Sequence, residues 1–167
     1  HPEWRQVDAD GEPLLLCAYP CSCMSDLEFS ALVNAHMAEA TRNYEIDGWF
    51  LDLQYFAPGG CFCPSCREGF EEMFGCPLEP GEFEVSQWVD VFTYQARVRE
   101  RFIHDAMDAC DAEREGLSWS WNGCGNPISI SETLDEGADY LSTEAHPPGY
   151  LHADHRSRYC EGLGKPF

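Results

Sequence analysis

Positive charge is scarce in this sequence. Ten Lys and Arg stand against thirty Asp and Glu in 167 residues, a formal net charge of −20. A chain so acidic is repelled by nucleic-acid phosphates and by anionic membrane surfaces, so neither is expected as a partner. Long apolar runs are also missing: no stretch of about 18 or more apolar residues occurs, and nothing is built to span a bilayer. No internal repeat or low-complexity tract interrupts the chain. It opens His1-Pro2-Glu3, without Met and without a signal-type segment, and reads as a trimmed or partial piece of something longer. The compartment stays open, the cytoplasm being slightly favoured if the cysteines bind zinc. Nothing here sets the oligomeric state.

Apolar residues are plentiful. A hydrophobic share of 44%, with 13% aromatics, is ample for a core and argues against intrinsic disorder. The length allows one compact domain. Ten cysteines, about 6%, fall below the roughly 8–10% of a short disulfide scaffold. They are also clustered, Cys17, Cys21 and Cys23 in one group and Cys61, Cys63 and Cys66 in another. Cys-x-Cys and Cys-x-x-Cys spacing suits one tetrahedral metal better than a set of bridges. Cys76, Cys110, Cys124 and Cys160 are scattered and are expected to be buried small apolar residues.

The order of elements is legible from periodicity. Leu14 to Tyr19 reads as a buried strand after the turn-like Asp10-Gly11-Glu12-Pro13. Ser25-Asp26 offers an N-cap to a helix reaching about Asn43, with Phe29, Leu32, Val33, His36 and Met37 at helical spacing. Ile46 to Leu53 reads as a second strand, Gln54 to Pro64 as a loop, and about Ser65 to Phe74 as a short helix. From Ser86 to Glu113, Trp88, Val91, Phe92, Val98, Phe102, Ala106 and Ala109 trace one helical face. Leu117 to Asn122 and Asp139 to Glu144 look like further strands, and Ala153 to Leu163 like a last helix. The fold class expected from this order is α/β with parallel strands.

Strands followed by polar tips recur three times. Asp52 follows Trp49-Phe50-Leu51, Asn122 follows Trp119-Ser120-Trp121, and Glu144 follows Tyr140-Leu141. In barrels the C-terminal strand ends carry function. Asp52 and Glu144 are therefore a candidate carboxylate pair, with Gln54, Asn122, Tyr55, Trp121, Tyr150 and His146 as candidate ligand contacts. Oxygen ligation of a divalent cation by Asp47, Asp52 and Glu144 is disfavoured, because Asp47 and Asp52 fall at opposite ends of one strand.

The block Asp47-Gly48-Trp49-Phe50-Leu51-Asp52, running into Cys61-Phe62-Cys63-Pro64-Ser65-Cys66-Arg67 and Phe70, resembles (β/α)8 glycoside hydrolases of the hypothetical glycosyl hydrolase and α-L-fucosidase-like group. Trp4, Asp8-Ala9-Asp10-Gly11, the Cys17 segment and Asp139 to Glu144 look like the same group, so the resemblance runs over most of the chain. It implies a partial (β/α)8 barrel of about four βα units, residues 1–167 forming a fragment of one barrel domain, and a carbohydrate substrate. A complete barrel takes about 250 residues. Glycoside hydrolysis needs two carboxyl groups flanking the scissile bond: Asp52 matches the nucleophile, and Glu144 as acid/base follows from placement alone. Gln54 and Asn122 could then hydrogen-bond sugar hydroxyls, and Tyr55, Trp121 and Tyr150 could stack on sugar rings. Some barrel β-galactosidases of similar layout carry a structural zinc on a Cys-x-Cys-x-x-Cys loop plus one distant Cys. The corresponding set here is Cys61, Cys63 and Cys66 with Cys17, Cys21 or Cys23, Cys17 being the cysteine shared with the resembling group. The alternative is a non-catalytic, zinc-stabilised module that binds glycans or partners.

Overall fold

Asp26 starts the first long helix as the sequence predicts: its Oδ1 accepts the Phe29 amide at 2.9 Å, satisfying one of the donors that a helix start leaves open. The computed structural model describes residues 1–16, 18–52, 54–57, 60–81, 83–122, 137–142 and 149–166, and all their side chains except those of Leu16, Tyr150, His152 and Arg156. A short 3-10 turn at Pro2–Trp4 is followed by β1 (Leu15–Leu16), β2 (Tyr19–Pro20), α1 (Leu27–Asn43), β3 (Gly48–Leu51), α2 (Pro64–Phe74), α3 (Val85–Asp111), β4 (Ser118–Trp121) and α4 (Tyr150–Gly162). Helix and strand are mixed, and the described residues divide into two compact units.

The first unit comprises residues 1–36 and 55–105. The run expected as one buried strand is instead an antiparallel hairpin, with Leu15 opposite Pro20 and Leu16 opposite Tyr19. Ala18 takes a positive φ of 69°, which reverses the chain inside the apolar run. Leu15 and Tyr19 are consequently exposed, at 56% and 71%. The core is Cys23, Met24, Phe70, Leu78, Val91, Tyr94, Val98, Phe102 and Ile103. On α3 Val91, Val98, Phe102 and Ala106 are buried as expected, while Phe92 is exposed and Tyr94 and Ile103 join the buried face. Gly69 is required by packing, because a Cβ there would lie 2.6 Å from the Tyr94 hydroxyl.

The second unit comprises residues 37–54 and 106–167. Its centre is the parallel pair β3–β4, in register from Gly48 opposite Ser118 to Leu51 opposite Trp121. A Cβ at Gly48 would collide with the Ser118 carbonyl, so the glycine of the Asp-Gly-hydrophobic motif lets β4 approach. Met37, Thr41, Ala106, Cys110, Leu117, Trp119, Trp121, Leu141 and Cys160 form the core. Thr41 Oγ1 accepts the Trp49 indole at 3.0 Å, and Arg114 donates to the carbonyls of Tyr44 and Ile46. The segment expected as a fourth strand is irregular over 139–142. It is nevertheless tied to β4: Asp139 N donates to Trp119 O at 2.9 Å, and Trp119 N donates to Asp139 Oδ2 at 2.7 Å. Cys110 and Cys160 are buried as expected, whereas Cys76 is exposed and Cys124 lies outside the described residues.

Candidate functional site

Four cysteines of the first unit meet in its core. Cys23, Cys61, Cys63 and Cys66 are all buried, with their sulfurs within 4.8 Å of one another. Cys23 Sγ lies 3.4 Å from Cys66 Sγ, 3.5 Å from Cys63 Sγ and 4.0 Å from Cys61 Sγ. A disulfide requires about 2.05 Å. A tetrahedron of thiolates at the zinc–sulfur distance of about 2.3 Å has edges of about 3.8 Å. The observed separations straddle that value, and an all-sulfur donor set is one that zinc accepts. The four residues could therefore hold a metal ion.

Local sequence explains how the donors are delivered. Pro64 occupies the first turn of α2 and Cys63 its N-cap position, where proline's fixed φ suits the helix start. Cys63 and Cys66 thereby sit at a helix N-terminus, whose partial positive charge favours thiolates. Arg67 fixes the loop from the helix side, donating to Phe62 O at 2.9 Å and Leu78 O at 3.1 Å. Cys23 is brought in by a bond from its amide to Trp4 O at 2.6 Å. Gln6, fully buried, ties both sides together. Its Nε2 donates to Ser22 O at 3.0 Å and Tyr55 O at 2.8 Å, and its Oε1 accepts from Ala57 N at 2.8 Å.

Beside the sulfurs, Ser25 Oγ lies 3.2 Å from Cys66 Sγ and 3.0 Å from the Tyr94 hydroxyl. Burial first, then the charge of Cys66, pushes the Tyr94 phenol upward. The bare thiols cannot all ionise at such distances. Hydrogen bonding with Cys23 drives Cys61 and Cys63 down and Cys66 up, and Cys23 is driven up, first by Cys61. A cation among them would let all four carry charge together.

Cys17, expected to complete the set, lies outside the described residues; the fourth donor that the structure brings to the other three is Cys23. Three cysteines within seven residues offered the choice, and only the path of the chain decides it. Gln6 and Tyr94 gave no sequence signal, being single polar residues outside any motif, and Ser25 was legible only as part of a helix cap.

The second unit carries the strand-end residues. Because β3 and β4 are parallel, Asp52 and Asn122 follow the same end of the pair. Asn122 Nδ2 donates to Asp52 Oδ1 at 2.7 Å, and Asn122 N donates to Leu51 O at 2.8 Å. Gln54 is buried, its Nε2 reaching Asn122 O at 3.3 Å, while its Oε1 has no partner among the described residues. Asp52 is exposed. Asp47 sits at the other end of β3, where its carbonyl accepts Ser118 N at 3.0 Å.

Among the other expected residues, Trp121 is wholly buried and offers no face to a sugar. Tyr55, in the first unit, is half-buried, its ring 5.3 Å from the Arg99 guanidinium carbon. Glu144, His146 and the Tyr150 side chain lie outside the described residues. No described helix is long and apolar enough to cross a membrane.

No family model matches the sequence, and no curated protein matches it. Solved structures do. The β-galactosidase of Bacillus circulans sp. alkalophilus superposes with a TM-score of 0.74 at 12% identity, over 98% of this chain and 30% of that one. The β-galactosidase of Rahnella sp. R3 gives 0.73 at 17% identity, over 90% of this chain and 27% of that one. The α-L-fucosidase isoenzyme 2 of Paenibacillus thiaminolyticus gives 0.70 at 22% identity, over 98% and 24%. The chain therefore spans less than a third of the length of each of these proteins. At these identities the likeness is one of fold: the chain has the fold of a fragment of glycoside hydrolases.

Proposed function

We propose that this chain is part of a (β/α)8 glycoside hydrolase domain, with Asp52 as its nucleophile and Glu144 as its acid/base. The observation that carries the reading is the exposed Asp52 carboxylate at the C-terminal end of a parallel strand, bonded at 2.7 Å to Asn122 from the end of the next. That is where barrels hold their chemistry. The fold likeness to β-galactosidases and an α-L-fucosidase supports a glycoside as substrate.

In this reading the Asp52 carboxylate attacks the anomeric carbon while the bond to the leaving oxygen breaks. Glu144 gives that oxygen its proton, and the sugar is held as an ester of Asp52. Water, losing a proton to Glu144, then displaces Asp52 and restores both carboxyl groups. Retention requires the two carboxyl groups about 5–5.5 Å apart, inversion about 6.5–9.5 Å. Zinc held by Cys23, Cys61, Cys63 and Cys66 would be structural, since four thiolates leave it no open position.

Asp52→Asn, made in the full-length protein that carries this chain, tests the reading. Hydrolysis of 4-nitrophenyl β-galactoside or α-L-fucoside should fall by roughly 10³-fold or more, with the melting temperature unchanged. The second reading, a zinc-stabilised glycan-binding module, draws on the four-cysteine core alone. It predicts sugar binding without turnover and no response to Asp52→Asn.

A further inference from the structure

Asn122 carries three constraints at once. Its amide nitrogen is bonded to Leu51 O of the neighbouring strand, its carbonyl accepts from the buried Gln54, and its side-chain Nδ2 holds Asp52 Oδ1 at 2.7 Å. Gln54 cannot be turned over to free that carbonyl, because only its Nε2 can donate to it. The other oxygen of Asp52, Oδ2, has no hydrogen-bond partner among the described residues, and Asp52 is exposed.

We infer that Asn122 is a positioning residue for Asp52: it fixes one carboxylate oxygen, and so the plane of the carboxylate, while leaving Oδ2 to face the reacting carbon. The sequence suggested a sugar ligand at this position; the bond from Nδ2 to Asp52 gives the side chain a different task. Gln54 serves the same end one step back, as the clamp on the Asn122 backbone. A carboxylate on an exposed strand end rotates readily about its side-chain torsions, and holding it in an attacking orientation is a recognised source of rate. The inference rests on the reading of Asp52 as the reacting carboxylate.

Steady-state kinetics of the full-length protein that carries this chain, on 4-nitrophenyl β-galactoside and α-L-fucoside, separate the possibilities. Asn122→Ala should lower kcat about 10- to 100-fold with KM changed less than about 3-fold, the pattern of an interaction that matters in the transition state. Asn122→Asp keeps the shape and the backbone bonds but turns the donor into a like charge opposite Asp52, and should lose at least as much. Melting temperature and zinc content, measured alongside, should match the wild type in both variants. A raised KM with unchanged kcat in Asn122→Ala would make Asn122 a sugar ligand and overturn the inference. Wild-type kcat in Asn122→Ala while Asp52→Asn is inactive overturns this inference alone. Wild-type turnover in Asp52→Asn, or no turnover in the wild type, overturns the reading of Asp52 and this inference with it.

Discussion

Gln6 and Gln54 are both buried amides, yet they are treated differently. Gln6, in the first unit, uses both amide protons and its oxygen on backbone groups of two separate loops. Among the described residues Gln54, in the second, donates once, to Asn122 O, and its Oε1 has no partner. A satisfied buried amide stabilises the segments it joins, while an unpartnered one is a local cost. The difference is between the two amides rather than the two units, since Trp4 Nε1 and Asn34 Oδ1 of the first unit are also buried without a partner among the described residues; what sets Gln54 apart is that its cost falls next to Asn122 and the exposed Asp52 carboxylate. Incomplete satisfaction is what a site for chemistry tolerates.

The largest test of this contrast is metal removal. Cys23→Ser, or exhaustive chelation, should reduce zinc from about one per chain, the ratio for a four-thiolate site, to a small fraction of it. Amide protection over 55–66 should collapse, because structural zinc contributes folding energy directly. Elemental analysis with hydrogen exchange measures both, and unchanged protection in a metal-free protein would show that the four thiols pack without a cation. Next in size, Gly48→Ala drives a methyl into the Ser118 carbonyl and should cost about 2–3 kcal/mol of stability. The loss should appear in denaturant unfolding and in exchange of the β3–β4 amides.

Gly69→Ala is subtler, since alanine gains about 1 kcal/mol of helix propensity while its methyl pushes on the Tyr94 hydroxyl. A net loss of about 1 kcal/mol is expected in the wild-type background. In a Tyr94→Phe background, which removes the obstructing oxygen, the same substitution should become neutral or stabilising. The smallest effect belongs to the surface pair in which Arg42 grips Glu113 through two bonds of 2.8 and 2.6 Å. Arg42 holds the Glu113 carboxyl below its ordinary value. A depressed carboxyl contributes stability above its unfolded-state value and loses it as pH falls through the folded one. Arg42→Ala should therefore shift the melting curve only slightly at neutral pH, and not at all in strong acid or high salt.

How much of this was legible in the sequence depends on the range of the interaction. Cys61, Cys63 and Cys66 stood out as a loop able to hold a metal because three donors within six residues need no knowledge of the fold. Asp52 and Asn122 were legible as strand ends, since β3 and β4 follow from local apolar runs. The hairpin at 15–20 was not, because a turn at Ala18 lies inside a run whose composition looks continuous. Cys23 could not be chosen over its neighbours without the path of the chain. Nor could Gln6, whose partners Ser22 and Tyr55 lie 16 and 49 residues away.

The spacing of the four sulfurs also bears on the order of events during folding. Cys61, Cys63 and Cys66 can capture a cation while the rest of the chain is unfolded, since their closure is local. Cys23 is separated from them by 38, 40 and 43 residues, and joining it to the others costs about 3 kcal/mol of chain entropy. With a cation bound, the fourth bond would be a late, long-range closure that draws residues 1–36 onto 55–105, the two stretches that make up the first unit. A chain refolded without metal should reach native secondary structure promptly and acquire this discontinuous core only when a cation is supplied.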